Sequence, residues 1–390
     1  MESRGNETGI DRTRTMDWNE VREEFAITRN YNFQNHAAVA PISRPAAEAA
    51  RLYLRHAEEN AYLDGEFYRH ADHVRQLAAE LINAKPDEVT FIKNTTEGIN
   101  FVANGLTWKS DDNVVVTNVE FPSNLYPWMN LKSRGVKVRM AMEDGGRIPL
   151  ERIIEAIDSR TRLVAISSVQ FASGFRTDLA TLGDYCQRKG VFLCVDAIQS
   201  LGAMPIDVKA MHIDFLSADA HKWLCGPEGI GIFYVSREIQ GYLRPSCVGW
   251  MSVKKPFDFD HVAFDLSDAI RRFDSGAYNL VGIYALGGSL EIILKIGVDH
   301  ICRRLMFLTD RLVSGIRDKG YRVVSSRNRA EASGIVAFCS DVHDHEEIQR
   351  HLQAEHRLVI AVRRGRLRSS PHFYNTEQEI DQLIEFLPKH

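Results

Sequence analysis

The chain has 390 residues, of which 44% are hydrophobic, so it exceeds one ordinary core and we expect two domains. Its net charge is −4 and it contains no basic tract, which argues against nucleic acid or an anionic membrane surface as a partner. Residues 1–20 are polar and lack the apolar region of a signal peptide, and no apolar run approaches the roughly 20 residues that span a bilayer.

From residue 46 onward the sequence alternates between helical and strand patterns. Amphipathic periodicity predicts helices at residues 46–59, 70–82, 150–157 and 179–188. Short β-rich runs predict strands at residues 114–117, 137–140, 163–167, 191–195, 215–217 and 232–235. Alternation of this kind favours a mostly parallel sheet covered by helices on both faces. After the sheet we expect a loop at 246–266, helices between 278 and 316, and a small α+β end at 321–390.

Residues 89–103 read VTFIKNTTEGINFVA, a short β-rich run followed by a polar turn and an apolar-periodic helix. Hydroxyl groups and free backbone N–H groups at the start of a helix can bind an anion. Thr95 and Thr96 are candidates for such a site, although a plain helix N-cap explains the same residues.

Residues 192–234 contain the pattern with the most chemical content. Asp196 ends an apolar strand, and His221 and Lys222 stand just ahead of a glycine-rich hairpin. A carboxylate can keep a heterocyclic nitrogen protonated, and a partly desolvated lysine can act as a nucleophile and carry protons. Each residue alone is also typical of a turn or of the surface. Together they indicate an anchor for a heterocyclic cation beside a primary amine that can form an imine.

The segments DAIQ (196–199), LSADAHKW (216–223) and GPEGIGIFYV (226–235) resemble the pyridoxal-phosphate (PLP) site of the class V aminotransferase family. That family includes cysteine desulfurases, selenocysteine lyases and isopenicillin N epimerase-like enzymes. The resemblance extends over about residues 30–385. It implies the α/β fold of PLP-dependent transferases of fold type I, with a mostly parallel, seven-stranded-type sheet between helices and a smaller α+β domain.

The same resemblance implies a division of the chain. A large PLP-binding domain would comprise residues 41–270, and a small C-terminal domain residues 271–390. Residues 1–40 would form an N-terminal segment that joins the small domain.

The resemblance also implies roles around the cofactor ring. Lys222 would form the internal aldimine, and Asp196 would keep the pyridine nitrogen protonated. Gln199, three residues after the aspartate, would hydrogen-bond the ring hydroxyl. Phe121, in the segment EFPSN, occupies a position where desulfurases have a histidine. A phenylalanine can stack on the ring but cannot exchange protons, and core packing is the alternative for this residue.

At the cofactor phosphate, the resemblance places Thr95, Thr96 and His221. Asp219 is a departure, because desulfurases often have a phosphate-binding serine there. A carboxylate would repel a phosphate, so we expect Asp219 to turn away or to hydrogen-bond elsewhere.

Family members are usually dimers with shared active sites, so a homodimer is expected. Residues 246–253 and 271–279 match loops that reach the partner's site. Most relatives have a threonine where this chain has Ala277. The backbone of Gly249 and Trp250, together with Tyr278, could compensate for that loss at the phosphate.

Residues 360–383 resemble the region that binds the substrate α-carboxylate. Arg368 matches the arginine that would hold this carboxylate through two parallel hydrogen bonds, and Arg363 matches a second arginine near the site. His36 falls where relatives line the substrate pocket. The alternatives are a solvated basic turn for the arginines and a helix start for His36.

Cysteine desulfurases carry a nucleophilic cysteine on a loop between these two arginines. Here only residues 364–367 separate them, and no cysteine follows Cys339. The six cysteines lack CxxC spacing, so we expect no metal site and no disulfide framework, and a reducing cytoplasm is the expected location.

These observations predict a PLP enzyme that acts on a small-molecule amino acid through an external aldimine. The preferred reaction is β-elimination by a C–S lyase of the desulfurase-like branch that lacks the persulfide cysteine. The alternative is a class V aminotransferase, or an epimerase or decarboxylase, for a specialised amino acid.

Overall fold

The computed structural model describes residues 17–63 and 65–389. Its strands, in chain order, are β1 (Asn32–Phe33), β2 (Val89–Ile92), β3 (Asn113–Thr117), β4 (Lys137–Ala141), β5 (Thr161–Ser167), β6 (Phe192–Asp196), β7 (Phe215–Asp219), β8 (Gly231–Val235), β9 (Arg322–Val323), β10 (Val336–Cys339), β11 (Leu358–Val359), β12 (Ala361–Arg363) and β13 (Arg366–Ser369). Its α-helices are α1 (Trp18–Arg22), α2 (Arg44–Asn60), α3 (Glu66–Leu81), α4 (Thr95–Gly105), α5 (Tyr126–Met129), α6 (Leu150–Ala156), α7 (Leu179–Lys189), α8 (Leu280–Ile296), α9 (Val298–Asp318), α10 (His345–His356) and α11 (Glu377–Phe386).

The larger sheet has seven strands in the order β2-β8-β7-β6-β5-β3-β4. Strands β7, β6, β5, β3 and β4 run parallel to one another, whereas β8 is antiparallel to both β2 and β7. No α-helix lies between β7 and β8, and a parallel pair would need a crossover connection. The predicted mostly parallel α/β sheet is therefore confirmed, with one antiparallel strand inserted near its edge.

Alternate residues of these strands pack on opposite faces of the sheet, as the two-residue repeat of a strand requires. Val115 packs with helices α3, α7 and α8 on one face, whereas Val114 and Val116 pack with α4 and α5 on the other. Both faces are thus covered, which explains why the strands are almost continuously apolar. Hydrogen-bonding side chains begin two of the covering helices: Ser43 caps α2 and Asp178 caps α7.

A smaller antiparallel sheet, in the order β12-β13-β10-β9, packs with α9, α10 and α11 around a separate apolar cluster. Strand β1 pairs in parallel with β11, and a bridge between Asn35 and Ser370 continues this contact between the N-terminal segment and the C-terminal part. Helix α8 follows the expected boundary at residue 271, yet it packs against α2 and α3 beside the large sheet. We keep the division into 1–40, 41–270 and 271–390 as a proposal.

Across residues 17–63 and 65–389, no single helix is both long and apolar enough to cross a membrane. Helices α8 and α9 reach that length and composition only when they are taken together, and they are bent by 78° where they meet. The apolar side chains of α8 pack in the cluster beside the large sheet.

Candidate active site

The carboxyl ends of the parallel strands form one edge of the large sheet, which is where open α/β sheets bind ligands. Strand β6 ends at Asp196 on this edge, and a turn after β7 leads to Lys222. The Nζ atom of Lys222 lies 5.6 Å from the centre of the Phe121 ring, which follows β3. The structure thus brings together three residues that the sequence singled out from distant segments.

Asp196 is a buried carboxylate whose negative charge is stabilised by little hydrogen bonding within the described residues. In the described part of the chain its side chain accepts one hydrogen bond, 3.1 Å from the backbone N–H of Ile198. Burial raises the pKa of Asp196 to about 7, the Ile198 hydrogen bond opposes this, and the nearby charge of Glu120 adds to it. A cationic N–H partner would offset the free-energy cost of burying the negative charge of Asp196, so the site fits a protonated heterocyclic nitrogen.

Lys222 is also buried, and burial lowers its pKa to about 8. The charge of Asp196 opposes this shift, whereas the charge of Arg368 adds to it. A pKa of about 8 leaves about one tenth of the amine uncharged at pH 7. The uncharged amine is the form that can attack an aldehyde.

The start of α4 lies beside the end of β7. Asn94 caps this helix by accepting a hydrogen bond from the Glu97 N–H at 2.9 Å. The hydroxyl of Thr95 accepts a 3.1 Å bond from the backbone N–H of Asp219, and the hydroxyl of Thr96 lies 2.9 Å from that of Ser123. Hydroxyls and helix N–H groups therefore lie together, which is the chemistry that a phosphate requires.

Asp219 is buried and lies next to His221. Its Oδ1 atom is 3.1 Å from Nδ1 of the histidine, but the geometry is not that of a hydrogen bond, and neither of these buried atoms has a hydrogen-bond partner within the described residues. The carboxylate therefore faces the histidine that follows it.

Arg368 is a buried guanidinium without a carboxylate partner among residues 17–63 and 65–389. It donates hydrogen bonds to the backbone oxygen of Phe171 at 2.7 Å and to Oδ1 of Asn35 at 3.3 Å, and its Nε has no hydrogen-bond partner in the described part of the chain. Burial, and then the charge of Arg363, lower the pKa of Arg368 to about 9. A guanidinium held in this way is suited to bind the carboxylate of a ligand.

Arg363 is exposed at the end of β12 and donates to the adjacent backbone oxygen of Val362 at 2.8 Å. Its charge lowers the pKa of both Lys222 and Arg368, so it belongs electrostatically to the same site. Its side chain nevertheless remains free to meet a ligand from the solvent side.

His36 lies in a different environment from the one expected for a pocket-lining residue. Its Nδ1 donates to the backbone oxygen of Ser370 at 2.9 Å, so its Nε2 accepts from the hydroxyl of Tyr374. Burial holds the pKa of His36 well below its usual range. Because both ring nitrogens are used within the protein, we do not assign His36 to substrate binding, and no helix begins there either.

Gln199 is buried, with its amide bonded to Trp223 and to the backbone of Ala37. Gly249 and Trp250 lie in a separate loop, and no hydrogen bond, ion pair or ring contact within the described residues joins them to Lys222. The hydroxyl of Tyr278 donates to Asp274 at 2.7 Å.

Three residues of the site had no role in the sequence analysis. Asn35 and the backbone of Phe171 hold Arg368, and the Phe171 ring packs edge-on against Phe121, with ring centres 5.3 Å apart. Glu120 is buried and accepts hydrogen bonds from Gln170 at 2.8 Å and from other neighbouring groups. Of these three residues, only Glu120 lies within a motif used in the sequence analysis, the segment EFPSN. That motif could have indicated its place in the site.

Known proteins are similar to this chain over nearly its whole length. The profile of the family "Aminotransferase class-V" matches residues 31–383. A probable cysteine desulfurase of Methanothermobacter thermautotrophicus is 32% identical over 399 residues, which cover 94% of this chain and 96% of that protein. An uncharacterized aminotransferase of Bacillus subtilis, YcbU, is 28% identical, covering 90% of this chain and 94% of its own length.

Solved structures are also similar. The apo structure of a cysteine desulfurase from Thermococcus onnurineus has a TM-score of 0.87 at 27% identity, covering 95% of this chain and 97% of that one. The cystine C–S lyase C-DES, in complex with its reaction product cysteine persulfide, has a TM-score of 0.85 at 22% identity, covering 93% and 98%. The likeness confirms the predicted fold, that of PLP-dependent enzymes of fold type I.

Proposed function

Since this chain belongs to the class V aminotransferase family, whose members use PLP, we propose that it is a β-eliminating C–S lyase acting on an S-substituted cysteine. The overall reaction consumes one water and yields pyruvate, ammonia and the free thiol. The alternative, an aminotransferase, would use the same cofactor and carboxylate sites, and the experiment below distinguishes the two.

The residues present fit PLP. Asp196 supplies a buried carboxylate with one internal hydrogen bond, Lys222 supplies an amine with a pKa near 8, and α4 offers its N-terminal N–H groups with Thr95 and Thr96. When bound, PLP supplies the electron sink that stabilises negative charge at the substrate Cα. Phe121 is 43% exposed, so its ring is available for stacking.

Arg368 would bind and orient the substrate. Its unpaired Nε and its position near Lys222 allow it to take the α-carboxylate of an amino acid. A fixed carboxylate sets which bond at Cα stands perpendicular to the ring, and this bond is the one that breaks. Arg363, exposed at the same site, would add positive charge at the entrance.

Lys222 would take the proton from Cα once its amine is uncharged. Phe121 has no titratable group, so it cannot protonate the departing sulfur where desulfurases have a histidine. We therefore expect substrates whose sulfur leaves as a stable thiolate to react most readily. We assign His221 to cofactor binding at the candidate phosphate position. The carboxylate of Asp219, 3.1 Å from the histidine, would repel a phosphate, so we give Asp219 no role in binding it.

The observation that carries the choice of reaction is the turn between β12 and β13. Only Arg364 and Gly365 lie between the paired residues Arg363 and Arg366, with φ angles of +51° and +68°. Two residues with positive φ form a tight hairpin of the type I′ kind, which glycine favours. This turn contains no cysteine and is too short to carry a thiol over the site.

The remaining cysteines offer no obvious substitute as a sulfur acceptor. Cys225, three residues after Lys222, is buried, and burial raises the pKa of its thiol far above the usual range. Cys247 is exposed in the 246–266 loop, which is not the turn where desulfurases carry their cysteine, and replacing it tests this residue directly. Loss of the acceptor leaves elimination as the simplest reaction at the substrate's C–S bond.

We also propose a homodimer in a reducing cytoplasm. The 246–266 loop exposes Phe257, Phe259 and Phe264 to solvent, which is the kind of apolar surface that a partner subunit covers. All six cysteines are free thiols, as a reducing compartment would keep them.

The test is product analysis with purified, PLP-loaded protein. Cystine, S-alkyl cysteines and S-aryl cysteines should each give pyruvate and a thiol or persulfide, and Lys222→Ala should give neither. Alanine as the product from cysteine would instead indicate a desulfurase. A 2-oxo acid that retains its C–S bond, formed only with an amino acceptor, would indicate an aminotransferase.

A further inference from the structure

Trp223 follows the candidate Schiff-base lysine directly and is only 1% exposed. Its indole Nε1–H donates a 2.9 Å hydrogen bond to Oε1 of Gln199. The Nε2 of the same glutamine donates to the backbone oxygen of Ala37 at 3.0 Å. Gln199 is thus held at both ends of its amide.

These two partners fix which way the Gln199 amide faces. An indole N–H can only donate, so the atom opposite Trp223 must be the amide oxygen. The backbone oxygen of Ala37 can only accept, so the atom opposite it must be the nitrogen. A flipped amide would place oxygen against oxygen and N–H against N–H. One N–H of the amide is used by Ala37, and the second has no hydrogen-bond partner among residues 17–63 and 65–389.

We propose that Trp223 is a positioning residue, which holds the Gln199 amide so that it offers an N–H, and not an oxygen, to the phenolic oxygen of PLP. The proposal rests on the cofactor site proposed above but not on the reaction. A donor at that oxygen stabilises its negative charge, and so lowers the proton affinity of the lysine-bound cofactor.

Trp223 is itself held by residues from the C-terminal part of the chain. The backbone N–H of Phe373 donates to Nδ1 of His372 at 2.8 Å, so the ring proton is on Nε2, which donates to the backbone oxygen of Trp223 at 3.0 Å. At Gly334, an added Cβ would lie 2.7 Å from Cη2 of the indole. The backbone of Gly334 therefore closes the space into which the tryptophan could move.

The experiment is a pH titration of the visible absorption of the lysine-bound cofactor, which needs no turnover. Gln199→Leu should raise the midpoint by about one pH unit, a tenfold change in proton affinity. Trp223→Phe should shift it in the same direction, and the double variant should match Gln199→Leu alone. Trp108→Phe, which removes an indole bond to the backbone oxygen of Ala103, should leave the midpoint unchanged.

Gly334→Ala provides a second route, because it keeps the indole N–H but displaces the ring. It should also raise the midpoint, and it keeps the proposal testable if Trp223→Phe does not fold. An unshifted midpoint in Trp223→Phe or in Gly334→Ala would overturn the proposal, as would shifts that add in the double variant. If Gln199→Leu leaves the midpoint unchanged, Gln199 does not contact the phenolic oxygen and the proposal is wrong. If the midpoints shift as expected but the protein does not cleave C–S bonds, only the proposed reaction is contradicted.

Discussion

Arg368→Met should separate substrate binding from folding, because Arg368 is a buried cation with no carboxylate partner in the part of the chain described. Its two hydrogen bonds go to neutral oxygens, of Phe171 and Asn35. Burial lowers the pKa of Arg368 to about 9, so its charged form costs folding free energy at every pH below about 9. A substrate carboxylate would offset that cost only in the bound state.

The expected loss of activity follows from the free energy that a desolvated charge pair contributes to binding. Removing one partner of such a pair costs about 2–5 kcal/mol, which corresponds to a fall in kcat/KM of about 30-fold to about 5000-fold. Stability should change little, because relief from an unpaired buried charge offsets the two lost hydrogen bonds. The assays are steady-state kinetics with S-substituted cysteines and thermal unfolding of the cofactor-free protein.

A matched control is Arg304, which is also largely buried but pairs with Glu377 at 2.6 Å and bonds the backbone of Asn375. Arg304→Met should lower Tm and leave kcat/KM nearly unchanged, the opposite pattern. The reasoning about Arg368 would be refuted by a large fall in Tm with Arg368→Met. It would also be refuted by equal losses for substrates with and without an α-carboxylate.

Lys222→Ala should abolish both the visible absorption of the bound cofactor and turnover while the circular dichroism spectrum is kept; full activity would exclude Lys222 as the attachment point. Asp196→Asn should weaken PLP retention in equilibrium dialysis. It should also raise the Tm of the cofactor-free protein more at pH 8 than at pH 5. The reason is that the folded-state pKa of Asp196 is raised to about 7. The stability that Asp196 contributes at low pH is therefore lost as the pH rises from about 4 to about 7. Calorimetry at the two pH values checks this, and a larger gain at pH 5 would reverse the sign. Finally, kcat should rise as the pKa of the departing thiol falls, and Phe121→His should flatten that dependence by supplying a proton donor; a flat dependence in the parent protein would contradict the role given to Phe121.

The repeating patterns of the sequence were sufficient to predict the central sheet. The predicted strand at 163–167 lies within β5 (Thr161–Ser167), and the predicted helix at 179–188 lies within α7 (Leu179–Lys189). Local periodicity reports burial on one or two faces, so it locates such elements well. It carries no information on strand direction, so the antiparallel course of β8 does not follow from periodicity.

The candidate site was predictable only where a motif kept its residues close in sequence. Asp196 and Lys222 were proposed in this way, and Arg368 from its position in the C-terminal segment. The partners of Arg368 were not, because Phe171 is 197 positions away in the chain and contributes a backbone oxygen, which any residue type could supply. His36 was misjudged for a related reason: its partners Ser370 and Tyr374 come from the far end of the chain, and they turn an apparent pocket residue into part of a buried network.

The proposal that this protein eliminates sulfur without a protein thiol is tested most directly in a variant with all six cysteines replaced. With an S-substituted cysteine, the quantities to measure are pyruvate, alanine and free thiol per turnover. The account predicts equal amounts of pyruvate and thiol, no alanine, and a rate close to that of the parent, apart from packing losses at the buried positions. With unsubstituted cysteine as the substrate, alanine and a protein-bound persulfide in the parent, both absent from the variant, would contradict it and would establish a desulfurase with a relocated cysteine.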